Sequence, residues 1–464
     1  MGGGFLQLTA YGSQDVYLTG NPQITFFKAV YKRHTNFAME AVEQTFSGNG
    51  GFGKKVTCTL SRIGDLIHRL YVMVELPSVD ASRPGQVFRW LPFIGEQLIE
   101  SVLLEIGGQK IDKHYGEWLH IWNELSLTDN KRVAYNEMIG HVPRLNQPTS
   151  PSGSSLYCNA SECEPAPNVR SGTEEALSCT PGQTLYIPLQ FWFNRNPGLA
   201  LPLIALQYHE VKLTIQFAPL DKVCYRGVDS SAAGFEEGTN VPSVRNFKRG
   251  LILAEYIFLD SEERKKFADM EHEYLIEQVQ QSGSESTSNP STTLRLNFNH
   301  PVKELLWVVQ RDDFVTCGTS LEREYKGIQP FNYGLEWQPS TPNTFLPTIG
   351  PLREASLLLN SHERFEVQPA SYFNVMQPYE HHTASPSAGI YMYSFALKPE
   401  EHQPSGTCNM SRIDTTDLKL ELYDQTFVSK EDSSQAVPAQ VRVYAINYNV
   451  LRIMKGMGGL AYSN

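Results

Sequence analysis

At 464 residues the chain is too long for one hydrophobic core and suits two or three domains. Its 41% apolar and 19% charged residues describe a globular protein, and a net charge of -11 argues against one that wraps nucleic acid, which needs a basic face. No apolar run approaches the roughly 20 residues that span a bilayer, and Met1-Gly2-Gly3-Gly4-Phe5-Leu6 has neither the basic and apolar regions of a secretory signal nor the Ser or Thr of a myristoylation site.

Residues 1–24 form an arm of Gly, Gln, Thr and Tyr with a turn at Gly20-Asn21-Pro22, too poor in apolar residues to fold unaided. The spacing of Phe26, Phe27, Val30 and Tyr31 predicts a short helix over 24–34, with Lys28, Lys32, Arg33 and His34 read as a solvated face. Strands follow at 37–46, 55–61 and 66–76; in the last, Leu66, Leu70, Val72, Val74 and Leu76 face one way. Residues 96–113 read as two strands joined at Gly107-Gly108, which supplies the positive φ of a tight hairpin, and Trp118, Leu119, Ile121, Trp122 and Leu125 predict a helix over 115–127. Residues 141–183, rich in Pro, Ser, Gly, Asn and Cys, form a long surface loop.

Residues 218–248 read as a linker. A second domain then opens with a strand at 251–259 and a helix capped by Asp260, with Glu263 in the capping-box position. Further strands are expected at 273–281, 293–298 and 302–310, a long insertion at 311–350, and strands near 354–368, 389–398, 416–423 and 439–450. The tail from Met454 is too Gly-rich for regular structure and is expected to pack against a neighbour or the domain base.

The two halves repeat one another. Phe37 precedes Tyr274 by 237 positions, with Glu40/Glu277, Val42/Val279 and Gln44/Gln281 in register, and 66–74 precedes 302–310 at almost the same offset. Residues 103–111 then match 357–365 at an offset of 254, and 186–193 match 391–398 at 205. Val211, Leu213 and Ile215 correspond to Leu418, Leu420 and Leu422, with Lys212 and Lys419 on the opposite face. Order is kept while the offset moves, as in two related domains with insertions in different loops. Many short strands in each half predict an all-β chain: two tandem eight-stranded jelly-roll sandwiches with short connecting helices. The expected layout is an arm at 1–24, domains at 25–217 and 249–453 around the 218–248 linker, and a tail at 454–464.

Catalytic signatures are missing from the sequence, so no catalytic, cofactor-binding or metal residue is assigned. No His-x-His, HExxH, GxSxG or phosphate-cradling glycine loop is present, and His381-His382, the single adjacent histidine pair, is not placed to chelate. His114 and His120 are six apart and do not share a helix face. Asp312-Asp313 and Glu322/Glu324 read as solvated carboxylates, and Phe191-Trp192-Phe193 as packing rather than a sugar platform. Seven scattered cysteines without a CxxC read as reduced thiols, a bridge among Cys158, Cys163 and Cys179 staying open. Two sequons, at Asn159 and Asn409, are candidate N-glycosylation sites.

Five stretches carry a resemblance: 10–27 (AYGSQDVYLTGNPQITFF), 105–115 (EIGGQKIDKHY), 197–211 (PGLALPLIALQYHEV), 394–414 (SFALKPEEHQPSGTCNMSRID) and 447–462 (NYNVLRIMKGMGGLAY). Together they resemble the double jelly-roll major capsid proteins of the nucleocytoplasmic large DNA viruses, phycodnaviruses and related giant viruses above all. The resemblance implies a structural, non-enzymatic protein without cofactors, made in the host cytoplasm and carried in the virion capsid. It implies a homotrimer, a pseudo-hexagonal capsomer that packs against neighbouring capsomers and against minor capsid and penton proteins in an icosahedral shell. In that reading the chain makes no direct nucleic-acid contact, its inner face lies near an internal viral membrane without spanning it, and the loops 141–183 and 311–350 face outward. The alternative from a different class is a carbohydrate-binding or glycoside-acting β-sandwich protein.

Overall fold

The computed structural model describes residues 3–81, 83, 85–146, 149, 179–228, 238–315, 329–335, 350–429 and 434–462. The chain divides into two units, Met1–Phe37 and Ala38–Asn464.

The first unit holds two short helices, α1 (Gly3–Thr9) and α2 (Val16–Thr19), and no helix over 24–34. That expectation is corrected: the 3.6-residue spacing is there, but a helix this short is marginal without a surface to bury its apolar face, and Phe26 and Phe27 are 87% and 98% exposed.

The second unit contains two sandwiches. The first is built from β1 (Phe37–Thr45), β2 (Lys55–Thr59), β3 (Leu66–Glu75), β4 (Ile99–Ile106), β5 (Gln109–His114), β6 (Thr184–Pro188), β7 (Val211–Phe217) and β8 (Arg249–Leu259). The second repeats it as β9 (His272–Thr287), β10 (Ser291–Arg295), β11 (Pro301–Arg311), β12 (Leu352–Leu359), β13 (His362–Pro369), β14 (Ile390–Ser394), β15 (Thr416–Leu422) and β16 (Ala439–Met454). Sheet orders are β1-β8-β3-β6 and β2-β7-β4-β5 in the first, and β9-β16-β11-β14 and β10-β15-β12-β13 in the second. Each strand of the first domain has its topological equivalent eight strands later. The fold is a double jelly roll.

The period-two patterns explain the cores. In β3, Leu70, Val72 and Val74 are buried while Tyr71, Met73 and Glu75 are partly exposed; in β7 and β15, Leu213 and Ile215, and Leu418 and Leu420, are buried. Each such side chain contributes roughly 1.5–3 kcal/mol. Gly107 (φ 58) and Gly108 (φ 82) turn β4 into β5, as their sequence predicts.

Three boundaries differ from the sequence reading. The strand at 249–259 closes the first domain instead of opening the second, because β8 pairs along β3 from Arg249↔Glu75 to Ile257↔Leu66. Its alternating pattern suits either sheet, and only the partner decides. The 218–248 stretch is no bare linker: Cys224–Val228 pairs with Gln86–Trp90. The Gly-rich tail is regular, since Lys455 and Gly456, both at positive φ, form a two-residue turn that returns β17 (Met457–Leu460) along β16. It packs on the first domain: Tyr208 N–H donates to Gly456 C=O at 2.9 Å and Leu460 N–H to Gln109 Oε1 at 3.2 Å.

Candidate functional site

β11 is buried along nearly its whole length, and its apolar side chains divide between two cores. Val302, Leu305, Trp307 and Val309 face the second domain's interior, whereas Leu306 and Val308 join the first domain's cluster. β14 and β16 behave the same way, with Tyr391 and Val443 in one cluster and Met392, Tyr444 and Ile446 in the other. A sheet covered on both faces loses its polar alternation. The second domain's inner sheet is therefore the wall on which the first domain rests.

Polar groups pin that wall. α3 (Ile94–Leu98) and α4 (Gly116–Ser126) lie on the first domain's side. α4 starts beside α3 because Gly116 leaves no room for more: a Cβ there would sit 2.1 Å from the Glu96 carbonyl oxygen. This places Glu117 against β16. Arg442 donates to it twice, Nε to Oε2 at 2.6 Å and Nη2 to Oε1 at 2.5 Å. Tyr444 adds a hydrogen bond at 2.5 Å and Tyr333 one at 3.0 Å. Burial pushes the Glu117 carboxyl up, but Arg442 and these donors outweigh it and hold the group below the usual carboxylate range.

A second pin joins Arg195 of the first domain to Glu277 at 2.7 Å, and Glu277 to the fully buried Lys303 at 2.8 Å. Two cations hold the Glu277 carboxyl low in spite of its burial. The Arg195 guanidinium also lies over Trp122 at 4.8 Å. Beside it His382 is clamped by Glu304 and Glu400, each at 2.8 Å, with Trp122 edge-on at 6.1 Å. Burial opposes the imidazolium, yet the two carboxylates raise its pKa to about 9. Ala384 N–H to Leu125 C=O at 2.8 Å and Val279 N–H to Asp112 Oδ1 at 3.0 Å complete the joint.

The residues weighed for chemistry do not converge. His114 pairs with Asp112 at 2.7 Å and His120 with Glu96 at 2.8 Å, while His381 faces the Leu397 carbonyl at 3.0 Å, away from the His382 clamp. Asp313 pairs with buried Arg311 at 3.0 Å. Phe191, Trp192 and Phe193 are core residues. Glu322 and Glu324 lie outside the described residues, as do Asn159, Cys158 and Cys163; Cys179 is a free, exposed thiol. Among the described residues no cluster of His, Cys, Asp and Glu has metal-binding geometry, and no helix is long and apolar enough to cross a membrane. The small cleft lined by Glu96, His120, Asn123 and Tyr135 offers about 10 Å³, at most one water. Asn409 is exposed, its Oδ1 accepting from Ser411 N–H at 3.1 Å.

The joint residues escaped the sequence reading. Their signal was present: Lys303, Glu304 and Arg442 interrupt otherwise apolar strands, and charges there are buried only when paired.

Two family models cover the chain almost end to end, the major capsid protein N-terminus over residues 25–260 and the large eukaryotic DNA virus major capsid protein over 263–459. The chain belongs to the major capsid proteins of large eukaryotic DNA viruses. The models meet just after β8, where the first sandwich closes. The chain is 43% identical to the major capsid protein of Phaeocystis pouchetii virus and 40% identical to that of Paramecium bursaria Chlorella virus 1, over the full length of both partners in each case. It is also similar to a chain in the quasi-atomic structure of the PBCV-1 virus capsid, with a TM-score of 0.67, 35% identity, and 95% of this chain and 100% of that one covered. A major capsid protein of this kind is a structural component of the virion shell.

Proposed function

We propose that this major capsid protein assembles as a homotrimer whose six similar lobes form a near-hexagonal capsomer tiling the icosahedral shell. The observation that carries the reading is the duplicated topology held by a buried joint. Two like sandwiches in each chain give a threefold particle a sixfold outline, and closed cyclic symmetry satisfies its interfaces while the outline packs side by side. The pins at Glu117 and Glu277 suit this work, because a tile under lateral load needs lobes that do not hinge.

The protein is made in the host cytoplasm and acts without catalysis, cofactor or direct nucleic-acid contact, consistent with residue chemistry spent on packing. Neighbouring capsomers, penton and minor capsid proteins are its partners, the arm 1–24 serving the inner side near an internal membrane. Asn159 and Asn409 are its candidate glycan acceptors. The test is mass in solution by size exclusion with light scattering: a particle of three times the chain's 52.3 kDa that resists dilution supports the trimer. A stable folded monomer refutes it.

A further inference from the structure

The first unit carries a segment in which cations of one sign alternate with large apolar side chains. From Val16 to Met39 there is no acidic residue, while Lys28, Lys32 and Arg33 fall within six positions. The chain as a whole carries -11, so the three cations sit on a protein that is otherwise strongly acidic. Around them Ile24, Phe26, Phe27, Val30 and Tyr31 are all exposed, Val30 and Tyr31 at 83% and 89%. Placed on a 3.6-residue turn, Phe26, Val30, Phe27, Tyr31 and Ile24 fall within an arc of about 160° that also takes in His34, while Lys28, Lys32 and Thr25 fall opposite and Arg33 at the boundary beside Phe26. Pro22 just ahead suits the first turn of a helix.

We infer that residues 22–34 are an interfacial anchor that folds into an amphipathic helix on an anionic lipid bilayer, aromatic face in the headgroup region and basic face toward the phosphates. Two observations favour a bilayer over a protein groove. The polar face carries one sign of charge only, matching a surface of uniform negative potential rather than the mixed charges of a protein groove. The apolar face is aromatic and lies beside the cations, the composition of segments that rest in the interface plane rather than cross it. The helix is absent without lipid because a segment of roughly three to four turns is marginal alone in water. This rests on the reading of the chain's inner face as lying near an internal membrane, and three such segments per trimer would multiply a weak single attachment.

The test is flotation of the full-length protein with vesicles of phosphatidylcholine alone or with 30% phosphatidylserine, alongside its solution mass. Flotation with the anionic vesicles alone is expected, weakening as salt is raised. The variant K28Q/K32Q/R33Q is expected to lose roughly 100-fold in partitioning, and F26S/F27S at least tenfold, with both keeping the wild-type mass. Absent flotation, or flotation indifferent to both variants, overturns the inference. So does lipid-free self-association that the charge variant abolishes, which would make a second copy the partner. A trimer that fails to float sinks the anchor alone; a monomer that floats sinks the trimer alone.

Discussion

Arg442 on β16 and Glu117 on α4 lie 325 positions apart in sequence and meet through two hydrogen bonds of 2.6 and 2.5 Å across the joint between the domains. Breaking a buried pair from one side leaves the other charge stranded, which costs about 3–5 kcal/mol. Arg442→Met is therefore expected to destabilise by that amount in denaturant unfolding. Adding Glu117→Gln should restore part of the loss, a coupling that a double-mutant cycle measures directly. Additive losses would show that the pair is not the pin.

Stability should fall at both ends of the pH scale for separate reasons. The Glu117, Glu277 and Glu400 carboxyls are held below their ordinary 4.5, so their contribution is complete above that value and disappears as pH falls through the depressed folded pKa. His382 has the opposite sign. Raised from 6.5 to about 9, it stabilises fully below 6.5 and loses that contribution as pH rises to about 9. The alkaline limb is worth roughly 3 kcal/mol, and thermal melts of His382→Gln should lack it.

Gly116→Ala tests how α4 is seated. The new methyl would meet the backbone oxygens of Glu96 and Ile99 at 2.1 and 2.3 Å, so α4 must move and carry Glu117 off Arg442. Overpacking of this kind costs about 1–3 kcal/mol. A melting temperature equal to wild type would mean that the helix relaxes without disturbing the pin.

Deleting residues 1–24 should leave the trimer mass intact and impair shell formation in an expression system that yields particles. Within the arm itself the two short helices, Gly3–Thr9 and Val16–Thr19, hold no buried residue. Normal shells from the truncated chain would remove the arm from assembly.

Ser411→Ala should abolish any glycan at Asn409 while leaving Asn159 unaffected, read by peptide mass spectrometry of virion protein. Because Ser411 Oγ also accepts from His300 N–H at 2.8 Å, Asn409→Gln is the control that separates glycan loss from a local loosening.

The sequence by itself determined the sixteen sandwich strands in outline, their duplication and the family. Those depend on local periodicity and on residue identities kept in order, as Leu213 and Leu420 illustrate, each buried at the same place in its sandwich. What it did not determine was partnership. The period of Arg249–Leu259 fits any half-buried sheet, and only its pairing with β3 assigns it to the first domain. The glycines at 456 and 458–459 read as too many for regular structure, although positive φ at Lys455 and Gly456 makes a hairpin once β16 is there to receive it. The joint was the least legible feature. Glu117, Arg195, Glu277, Lys303 and Arg442 come from five separate elements, and their burial, complete at Lys303 and partial at Glu117 and Arg442, becomes favourable only when the tertiary fold brings opposite charges together.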